Sequence, residues 1–149
     1  MARVRGIQVA EEYALRLSGL ADHTEEAVTA AIQKGAGILA DAMRRDYEAI
    51  LGPDSTGQML ESMGITPVKM DKNGWWNAKI GFDGYDARKS KRWPKGVPNQ
   101  LKARVLESGT KDGRIKKHEI IKKALRANRD RVEKAMEEEL DKYFEKYLG

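Results

Sequence analysis

The feature that most constrains the fold is a long amphipathic stretch in the first half of the chain. Its apolar and small residues recur at three- and four-residue spacing, the period of an α-helix with one buried face; they are Val28, Ala31, Ile32, Gly35, Ile38, Leu39, Ala42 and Met43. The Gly52-Pro53 pair predicts that this helix ends near Leu51, because a residue before proline is biased away from the helical conformation. Asp22, followed three residues later by Glu25, predicts that the helix starts here.

Two glycines, Gly35 and Gly37, lie within this predicted helix. Each lowers helix stability by up to ~1 kcal/mol relative to alanine. A glycine also lets another backbone or side chain approach closely, because it has no Cβ atom. We therefore expect these positions to permit a close crossing by another element.

The stretch from about residue 63 to residue 82 predicts a β-hairpin, with ITPVKM and WWNAKIGF on either side of an Asp-Lys-Asn-Gly turn. Two registers are open. A three-residue loop with a left-handed Gly74 puts Val68 and Met70 on the face that carries Trp76, Ala78, Ile80 and Phe82. A four-residue loop instead pairs Ile65 with Ile80 and Met63 with Phe82. We favour the first, because it collects more apolar side chains on one face, and in both registers that hairpin face lies on the long helix.

The remaining elements are helical, so the fold class is α+β in a single domain of residues 1–149. Residues 1–6 are a flexible arm or an edge strand, and residues 9–20 form a short helix. A helix at about residues 99–108 stops at Glu107-Ser108-Gly109-Thr110. A last helix runs from about Lys117 to Leu148, and Asn128 interrupts its apolar stripe, which leaves a kink or a break open.

Residues 84–100 form a long loop that is rich in Gly, Pro and basic side chains and has no core-facing period. Loops of this length inside a small domain are uncommon and tend to be functional or disordered. Two interpretations stay open, a basic arm that becomes ordered on a partner and a mobile surface loop.

Composition excludes several classes of site. The chain has 149 residues, no Cys and two His, so disulfides, thiolate sites and multi-histidine metal centres are excluded. No stretch approaches the ~20 apolar residues of a membrane span, and the N-terminus lacks a secretory signal, so we expect a cytosolic protein without membrane contact. The net charge of +5 is uneven, with a basic segment at 88–134 and an acidic one at 137–145. That asymmetry suits nucleic acid, an acidic protein or head-to-tail contact between copies.

No catalytic pattern survives inspection, so we expect no enzyme activity, no cofactor, no catalytic residue and no metal. His118-Glu119 begins like a zincin helix, but Lys122 occupies the position of the second histidine. Residues 71–74 begin like a calcium loop, yet Trp75 and Trp76 stand where a ligand and the glycine of such a loop should be, so a hairpin turn fits better. The Trp residues and the basic loop could bind a single strand, although no nucleic-acid motif is present and at least one Trp of the hairpin should pack in the core.

Two short motifs, taken in order, resemble the small tail-component proteins of long-tailed double-stranded DNA bacteriophages. The first is the T-G-x-L-x-x-S-I element of that family, matched by Thr56, Gly57, Met59, Ser62 and Met63. The second is its A-x-x-V-E-x-G-T element, matched at residues 103–110 by a segment that includes Glu107, Gly109 and Thr110. Residues 117–125 then fall where the family has H/R-P-F-I-x-x-A-L, and the similarity covers roughly residues 27–140. Glu119-Ile120 replaces the Pro-Phe pair, Ser108 replaces an aromatic residue, and the loop at 84–100 is unusually long and basic.

The resemblance implies a virion structural protein of the neck that acts in tail completion or termination and in head-to-tail joining. Such proteins form a ring, expected to be six-fold, between a head connector or stopper protein and the tail tube protein; a monomer before assembly is compatible with this role. The implied location is the virion, after the host cytoplasm during assembly, and the ring could contact genomic DNA non-specifically. In this interpretation Thr56 and Gly57 form a turn before a strand, and Gly109 takes a left-handed conformation at a helix end.

Two groups of residues are the candidate contacts in that assembly. The proposed partner- or lumen-facing residues are Arg88, Lys89, Lys91, Arg92, Trp93 and Lys95. The proposed subunit interface on the last helix comprises Val132, Met136, Leu140, Phe144 and Tyr147. The rival hypothesis is a basic nucleic-acid-binding module that uses residues 85–102 for backbone contact and Trp93 for stacking.

Overall fold

A long helix, a small β-hairpin, a shorter helix and a second long helix follow one another along the chain, which confirms the α+β fold class. The structure is a computed structural model that describes residues 23–52 and 57–148. The elements in order are α1 (Thr24–Ile50), α2 (Gln58–Glu61), β1 (Met63–Ile65), β2 (Lys69–Met70), β3 (Trp76–Asn77), β4 (Ile80–Phe82), α3 (Asn99–Ser108) and α4 (Ile120–Leu148). The predictions for residues 1–6, residues 9–20, Asp22 and Thr56 lie outside the described residues.

Helix α1 is the predicted amphipathic helix. It begins after His23, which makes no side-chain capping bond, and it ends at Leu51, which is extended. Its buried face is built mainly of small residues: Ala27, Ala31, Gly35, Ala40, Ala42, Met43 and Tyr47. A face of small side chains lets a second helix come close along most of its length.

Helix α4 packs antiparallel on that face, as two contacts far apart along α1 demonstrate. A Cβ atom added to Gly35 would lie 2.8 Å from the Met136 sulfur, and the ring of Tyr147 stacks on His23 with centroids 3.6 Å apart. Gly35 therefore marks the expected close crossing. Gly37 does not, since a Cβ atom there would meet open space.

Asn128 does not break α4, so the alternative of two helices is wrong. The helix runs without interruption over Ile120–Leu148, and the Asn128 side-chain amide donates a 2.9 Å hydrogen bond to the carbonyl oxygen of Ala124. A polar side chain that donates to a carbonyl oxygen of the preceding turn has a hydrogen-bond partner within the helix, so the helix can continue through it. The stripe is thus interrupted in composition but not in backbone conformation.

The hairpin combines the two predicted registers. At the base of the hairpin, Met63 pairs with Phe82 and Ile65 pairs with Ile80, which is the register predicted with the four-residue loop. At the tip, Met70 pairs with Trp76 and Gly74 has a left-handed φ, which is the register predicted with the three-residue loop. The favoured register is therefore wrong at the base, since the pairing shifts by one residue between the two ends.

Pro67 accounts for the shift. The last pairing at the base is the Thr66 N–H donating to the Lys79 carbonyl oxygen at 2.8 Å, and pairing resumes at Lys69 opposite Asn77. Pro67 and Val68 thus stand opposite Ala78 alone, which is a β-bulge. Proline has no N–H to offer the ladder, so a bulge is where a strand tolerates it.

The core lies where α1, α2, β4, α3 and α4 converge. Tyr47 and Met43 are its largest fully buried side chains, and the Tyr47 ring meets Phe82 edge-on at 5.4 Å. Helix α2 places Met59 in this core. The hairpin tip lies outside it, since Trp75 is 71% exposed and Met70 53%.

Candidate functional site

The corner between α3 and α4 contains the second of the two short motifs, at residues 103–110, and Glu107 is its central residue. The two carboxylate oxygens of Glu107 accept hydrogen bonds from the backbone N–H groups of Ile121 at 2.8 Å and Lys122 at 3.2 Å. Two further bonds tie the backbones, from His118 N–H to Leu106 O and from Glu119 N–H to Glu107 O. The first N–H groups of a helix have no partner within the helix, so Glu107 acts as an N-terminal cap from a distant part of the chain.

Gly109 ends α3 in a conformation that suits glycine. Its φ of 72° is positive, as expected, but its ψ of −177° is extended, so the prediction of a left-handed helical cap is wrong in detail. An added Cβ atom would lie 2.9 Å from both the Ile115 oxygen and the Lys117 nitrogen. Gly109 is therefore required both by its backbone angles and by the close return of residues 115–117.

Thr110 closes the loop that follows. Its hydroxyl donates to Asp112 Oδ1 at 2.7 Å and accepts the Ile115 N–H at 3.1 Å. The backbone N–H of Thr110 also donates to the Ile115 oxygen at 3.0 Å. The three matched residues Glu107, Gly109 and Thr110 therefore form one hydrogen-bonded turn that sets where α4 starts.

Glu119 stands immediately before α4, where the resembled family has proline. Its φ is 49°, an angle that the proline ring forbids. Its carboxylate pairs with Lys117 at 3.0 Å and with Lys122 at 3.5 Å, and the hydrogen bond from Lys117 is the main reason that the pKa of Glu119 is lowered. The backbone before α4 thus differs from the one that the family's Pro-Phe pair would impose.

The residues of the first motif that the structure describes, Gly57, Met59 and Ser62, form a helical turn that enters the core and not a strand. Gly57 has a left-handed φ of 75° and precedes α2, so its predicted place before a strand is wrong. Met59 is 2% exposed, and the Ser62 hydroxyl donates to the Met59 carbonyl oxygen at 2.7 Å. Gln58, between them, accepts the Ala87 N–H at 2.6 Å and so links this motif to the basic loop.

The basic loop is anchored to the protein by Asp86. This carboxylate is nearly inaccessible, and it accepts a 2.6 Å bond from Lys102 Nζ and bonds from the backbone and guanidinium of Arg88. The Lys102 bond is the main reason that the pKa of Asp86 lies far below its usual range. Because the Asp86 N–H also donates to Val97 O at 2.8 Å, the two ends of the loop are held together.

Sequence reasoning missed Asp86, although a signal existed. It is the one acidic residue in the otherwise basic segment 84–100. A lone carboxylate among so many cations is a candidate for pairing with one of them. What the sequence could not indicate was which cation, because Lys102 lies on the next helix.

The candidate partner contacts divide into exposed cations and a half-buried aromatic residue. Lys89, Lys91, Arg92 and Lys95 are exposed, whereas Arg88 shares the Asp86 carboxylate. Trp93 is half-buried, and the Arg92 guanidinium carbon lies 5.8 Å from its ring centroid. The loop therefore presents its charge outward and turns its aromatic ring inward.

The candidate subunit interface lies at least partly on α1 of the same chain. Val132 and Met136 sit over Gly35, while Tyr147 stacks on His23 and donates its hydroxyl to Glu26 at 3.2 Å. Leu140 and Phe144 are half-buried between these contacts. Packing within the chain is thus one use of the stripe, and a role between subunits stays a prediction.

The charged groups separate to opposite ends of the α1–α4 pair. The basic loop borders the C-terminal end of α1, since Arg88 and Trp93 line the same groove as Leu51. Glu25 and Glu26 lie at the other end of α1, and the acidic half of α4 runs beside them, with Tyr147 bonded to Glu26. At about 1.5 Å per residue, the 27 residues of α1 separate these two ends by about 40 Å.

Residues 23–52 and 57–148 contain no group of three or more His, Asp or Glu side chains that could hold a metal ion. None of the helices in this part of the chain combines the length and apolar content that a membrane crossing requires. Comparisons of the chain with protein-family models, curated proteins and solved structures find no match.

Proposed function

We propose that this chain is a structural protein of a bacteriophage neck, which joins copies of itself into a ring that completes the tail and receives the head. The observation that carries the proposal is the corner at Glu107, Gly109 and Thr110. These motif residues form one turn, and Glu107 caps the start of α4 across the corner. Residues of the resembled motif therefore have an architectural role, which suits an assembly protein.

The charge distribution supports association between copies. A ring needs a heterologous interface, in which one patch of a subunit meets a different patch of the next. The basic loop and the acidic end, which comprises Glu25, Glu26 and the acidic half of α4, are two unlike patches about 40 Å apart by the helix rise. Complementary charge of this kind orients copies and speeds their encounter more than it adds affinity.

The second candidate, a nucleic-acid-binding module, has one observation in its favour. Lys89, Lys91, Arg92 and Lys95 form an exposed run of cations on an anchored loop, which suits phosphate contact. Against it, Lys102 is engaged by buried Asp86 rather than free to contact a phosphate, and the Trp93 ring is half-covered, which leaves less of it for stacking on a base. The assembly function is the better supported of the two.

Sedimentation and negative-stain imaging of the purified chain, alone and with isolated tail tubes, test the proposal. We expect rings, or ordered binding to one end of the tubes. A chain that stays monomeric, ignores tail tubes and binds DNA tightly with a steep salt dependence would overturn it in favour of the second candidate. The order of neighbouring genes provides an independent check, with portal and capsid genes on one side and tail tube and tape-measure genes on the other.

A further inference from the structure

The turn of the β-hairpin presents an aromatic ring to solvent among free cations. Trp75 is 71% exposed, the highest value for any large apolar side chain in the described part of the chain. Lys69, Lys72 and Lys79 are exposed beside it, and none of the three forms an ion pair with a described residue. We call these four residues the tip surface. Tryptophan is enriched among the residues that dominate binding at protein interfaces, so a ring displayed in this way suits a partner.

The turn fixes the Trp75 backbone before any partner arrives. Asp71 Oδ1 accepts the backbone N–H groups of Asn73 at 2.8 Å and of Trp75 at 3.0 Å, and the Asp71 N–H donates to the Trp75 carbonyl oxygen at 2.9 Å. A preorganised turn loses less conformational entropy on binding. Lys69 pairs with Asn77, two residues after Trp75, so strand alternation puts Lys69 and Trp75 on one face of the hairpin.

A surface of complementary character lies on the C-terminal half of α4. Glu137, Leu140, Asp141 and Phe144 follow the i, i+3, i+4, i+7 spacing, so they share one face of the helix, which we call the α4 patch. Glu137 and Asp141 are exposed and form no ion pair with a described residue, whereas Leu140 and Phe144 are half-buried. The α4 patch therefore combines apolar side chains with two free carboxylates.

The lysines at this end of α4 do not neutralise the α4 patch. Lys142 bonds to Glu139 at 3.4 Å, and the Lys146 ammonium lies 5.0 Å from the centroid of the Tyr147 ring. By the helical period, both lysines lie on the side of α4 opposite the α4 patch. The free charge on that face is therefore negative.

We propose that the tip surface of one copy docks on the α4 patch of a second copy, with Trp75 against Leu140 and Phe144. The three lysines of the tip surface then lie beside the two free carboxylates. The partner is another molecule, because Trp75 remains exposed in its own chain. The basic loop is a poor alternative partner, since its exposed cations would repel those lysines.

Such a contact joins two different surfaces and can propagate from copy to copy, as a ring requires. It also gives Leu140 and Phe144, which belong to the predicted subunit interface, a role between subunits. The inference deepens the proposed function and rests on it for its biological setting. The contact itself can be tested separately on the purified full chain.

Charge reversal tests the polar part of the contact by sedimentation of the full chain. One variant carries Lys69→Glu and Lys72→Glu, and the other carries Glu137→Lys and Asp141→Lys. Each alone should self-associate about tenfold more weakly or worse, because its tip surface and α4 patch then carry the same sign. A mixture of the two should recover association, since each reversed surface meets its reversed counterpart and each native surface its native one.

The matched control carries Lys111→Glu and Lys116→Glu, the same change in charge at exposed residues outside both surfaces. Its association should stay within about twofold of the wild type, because it alters only the overall charge.

Trp75→Ala tests the apolar part of the contact. It should weaken self-association about tenfold or more. Its melting temperature should stay nearly unchanged, because the Trp75 side chain lies outside the core.

A cross-link tests the geometry, because the chain contains no Cys and engineered cysteines pair without background. Under mild oxidation, a mixture of Lys72→Cys with Asp141→Cys should form a disulfide-linked heterodimer about tenfold faster than Lys72→Cys with Lys111→Cys. Docking raises the effective concentration of the first pair of thiols but not of the second.

Self-association that is equal in all variants, or a heterodimer that forms no faster than its control, overturns the inference. So does a Trp75→Ala variant that loses DNA affinity and keeps its self-association. Rings that persist in Trp75→Ala would refute this contact and leave the proposed function standing. A contact that passes these tests in a chain that forms no ring and ignores tail tubes would do the reverse.

Discussion

Glu107 on α3 accepts a 2.8 Å hydrogen bond from the backbone N–H of Ile121, fourteen residues further along the chain. A second bond, from Lys122 at 3.2 Å, fills the other carboxylate oxygen. The first turn of α4 is therefore satisfied by the preceding helix, and the direction of α4 depends on this corner.

Glu107→Ala should lower the free energy of unfolding by about 1–2 kcal/mol, because two N–H groups lose their acceptors and the helix loses a favourable negative charge at its start. Glu107→Gln keeps one acceptor oxygen and should lose less. Denaturant unfolding of the wild type and the two variants measures their free energies of unfolding and so the order of their stabilities. Equal stability of all three would mean that the carboxylate does not cap α4.

Gly109→Ala should be more damaging than Gly113→Ala, although the two glycines have nearly the same φ, 72° and 74°. A positive φ strains an alanine at both sites, and the strain is greater at Gly109, because its φ of 72° with a ψ of −177° lies in a region that is essentially restricted to glycine. At Gly113 an added Cβ atom meets open space, whereas at Gly109 it lies 2.9 Å from backbone atoms of Ile115 and Lys117. Thermal unfolding should show the larger destabilisation at Gly109, and equal effects would contradict the close return of residues 115–117.

Gly35 and Gly37 form a similar pair on α1. Gly35→Ala should leave the protein less stable than Gly37→Ala, because its Cβ atom would lie 2.8 Å from the Met136 sulfur and the Met136 side chain would have to move, which offsets the gain in helix propensity. Gly37→Ala, which meets open space, should stabilise it by up to ~1 kcal/mol through helix propensity.

A double-mutant cycle with Met136→Ala locates the strain at Gly35. If the clash with Met136 is the cause, then Gly35→Ala should cost less in the Met136→Ala background than in the wild type, which is a coupling of the expected sign. Additive effects would place the cost of Gly35→Ala elsewhere.

Asp86 should make stability fall in acid. Its pKa is lowered in the folded state, mainly by the bond from Lys102, so the folded state favours the charged form. That contribution is complete above the unfolded pKa of about 3.9 and is lost progressively as the pH falls below it. Urea unfolding between pH 3 and pH 7 should therefore show a larger gap between wild type and Asp86→Asn at pH 7 than at pH 3.

Lys102→Met supplies the matching control, since it removes the partner that lowers the Asp86 pKa. Its unfolding free energy should depend less on acid than that of the wild type. A gap between wild type and Asp86→Asn that stays constant with pH would mean that the buried carboxylate is not held in its charged form.

Local pattern was enough to predict the three longer helices, but not the single turn of α2. The spacing of apolar residues and the Gly52-Pro53 pair located α1, and α3 falls at Asn99–Ser108 as expected. These features depend on neighbours within a few residues, where the backbone period and the terminating residues are both visible in the sequence.

Features that join distant residues could not be predicted in the same way. The Asp86–Lys102 pair and the Glu107–Ile121 bond span sixteen and fourteen residues, and both depend on how a loop folds back. The hairpin register was missed for a different reason, because each predicted register assumed an unbroken ladder and Pro67 inserts a bulge. The family resemblance indicated that the Glu107 corner matters, but not which atoms it joins.

The basic loop offers the prediction that separates the two candidate functions. Lys89, Lys91, Arg92 and Lys95 are exposed, so changing all four to Gln should leave the melting temperature nearly unchanged, while Asp86 and Lys102 still anchor the loop. If the loop faces another protein in an assembly, the variant should lose ring formation or tail binding and change little in its weak affinity for DNA. If it is a nucleic-acid site, DNA affinity should fall strongly, and the slope of log affinity against log salt should decrease by up to about 0.9 for each phosphate that the variant no longer neutralises. Measuring assembly and DNA affinity on the same variant decides between the two candidate functions, because the same four charges are absent in both assays and only the partner differs.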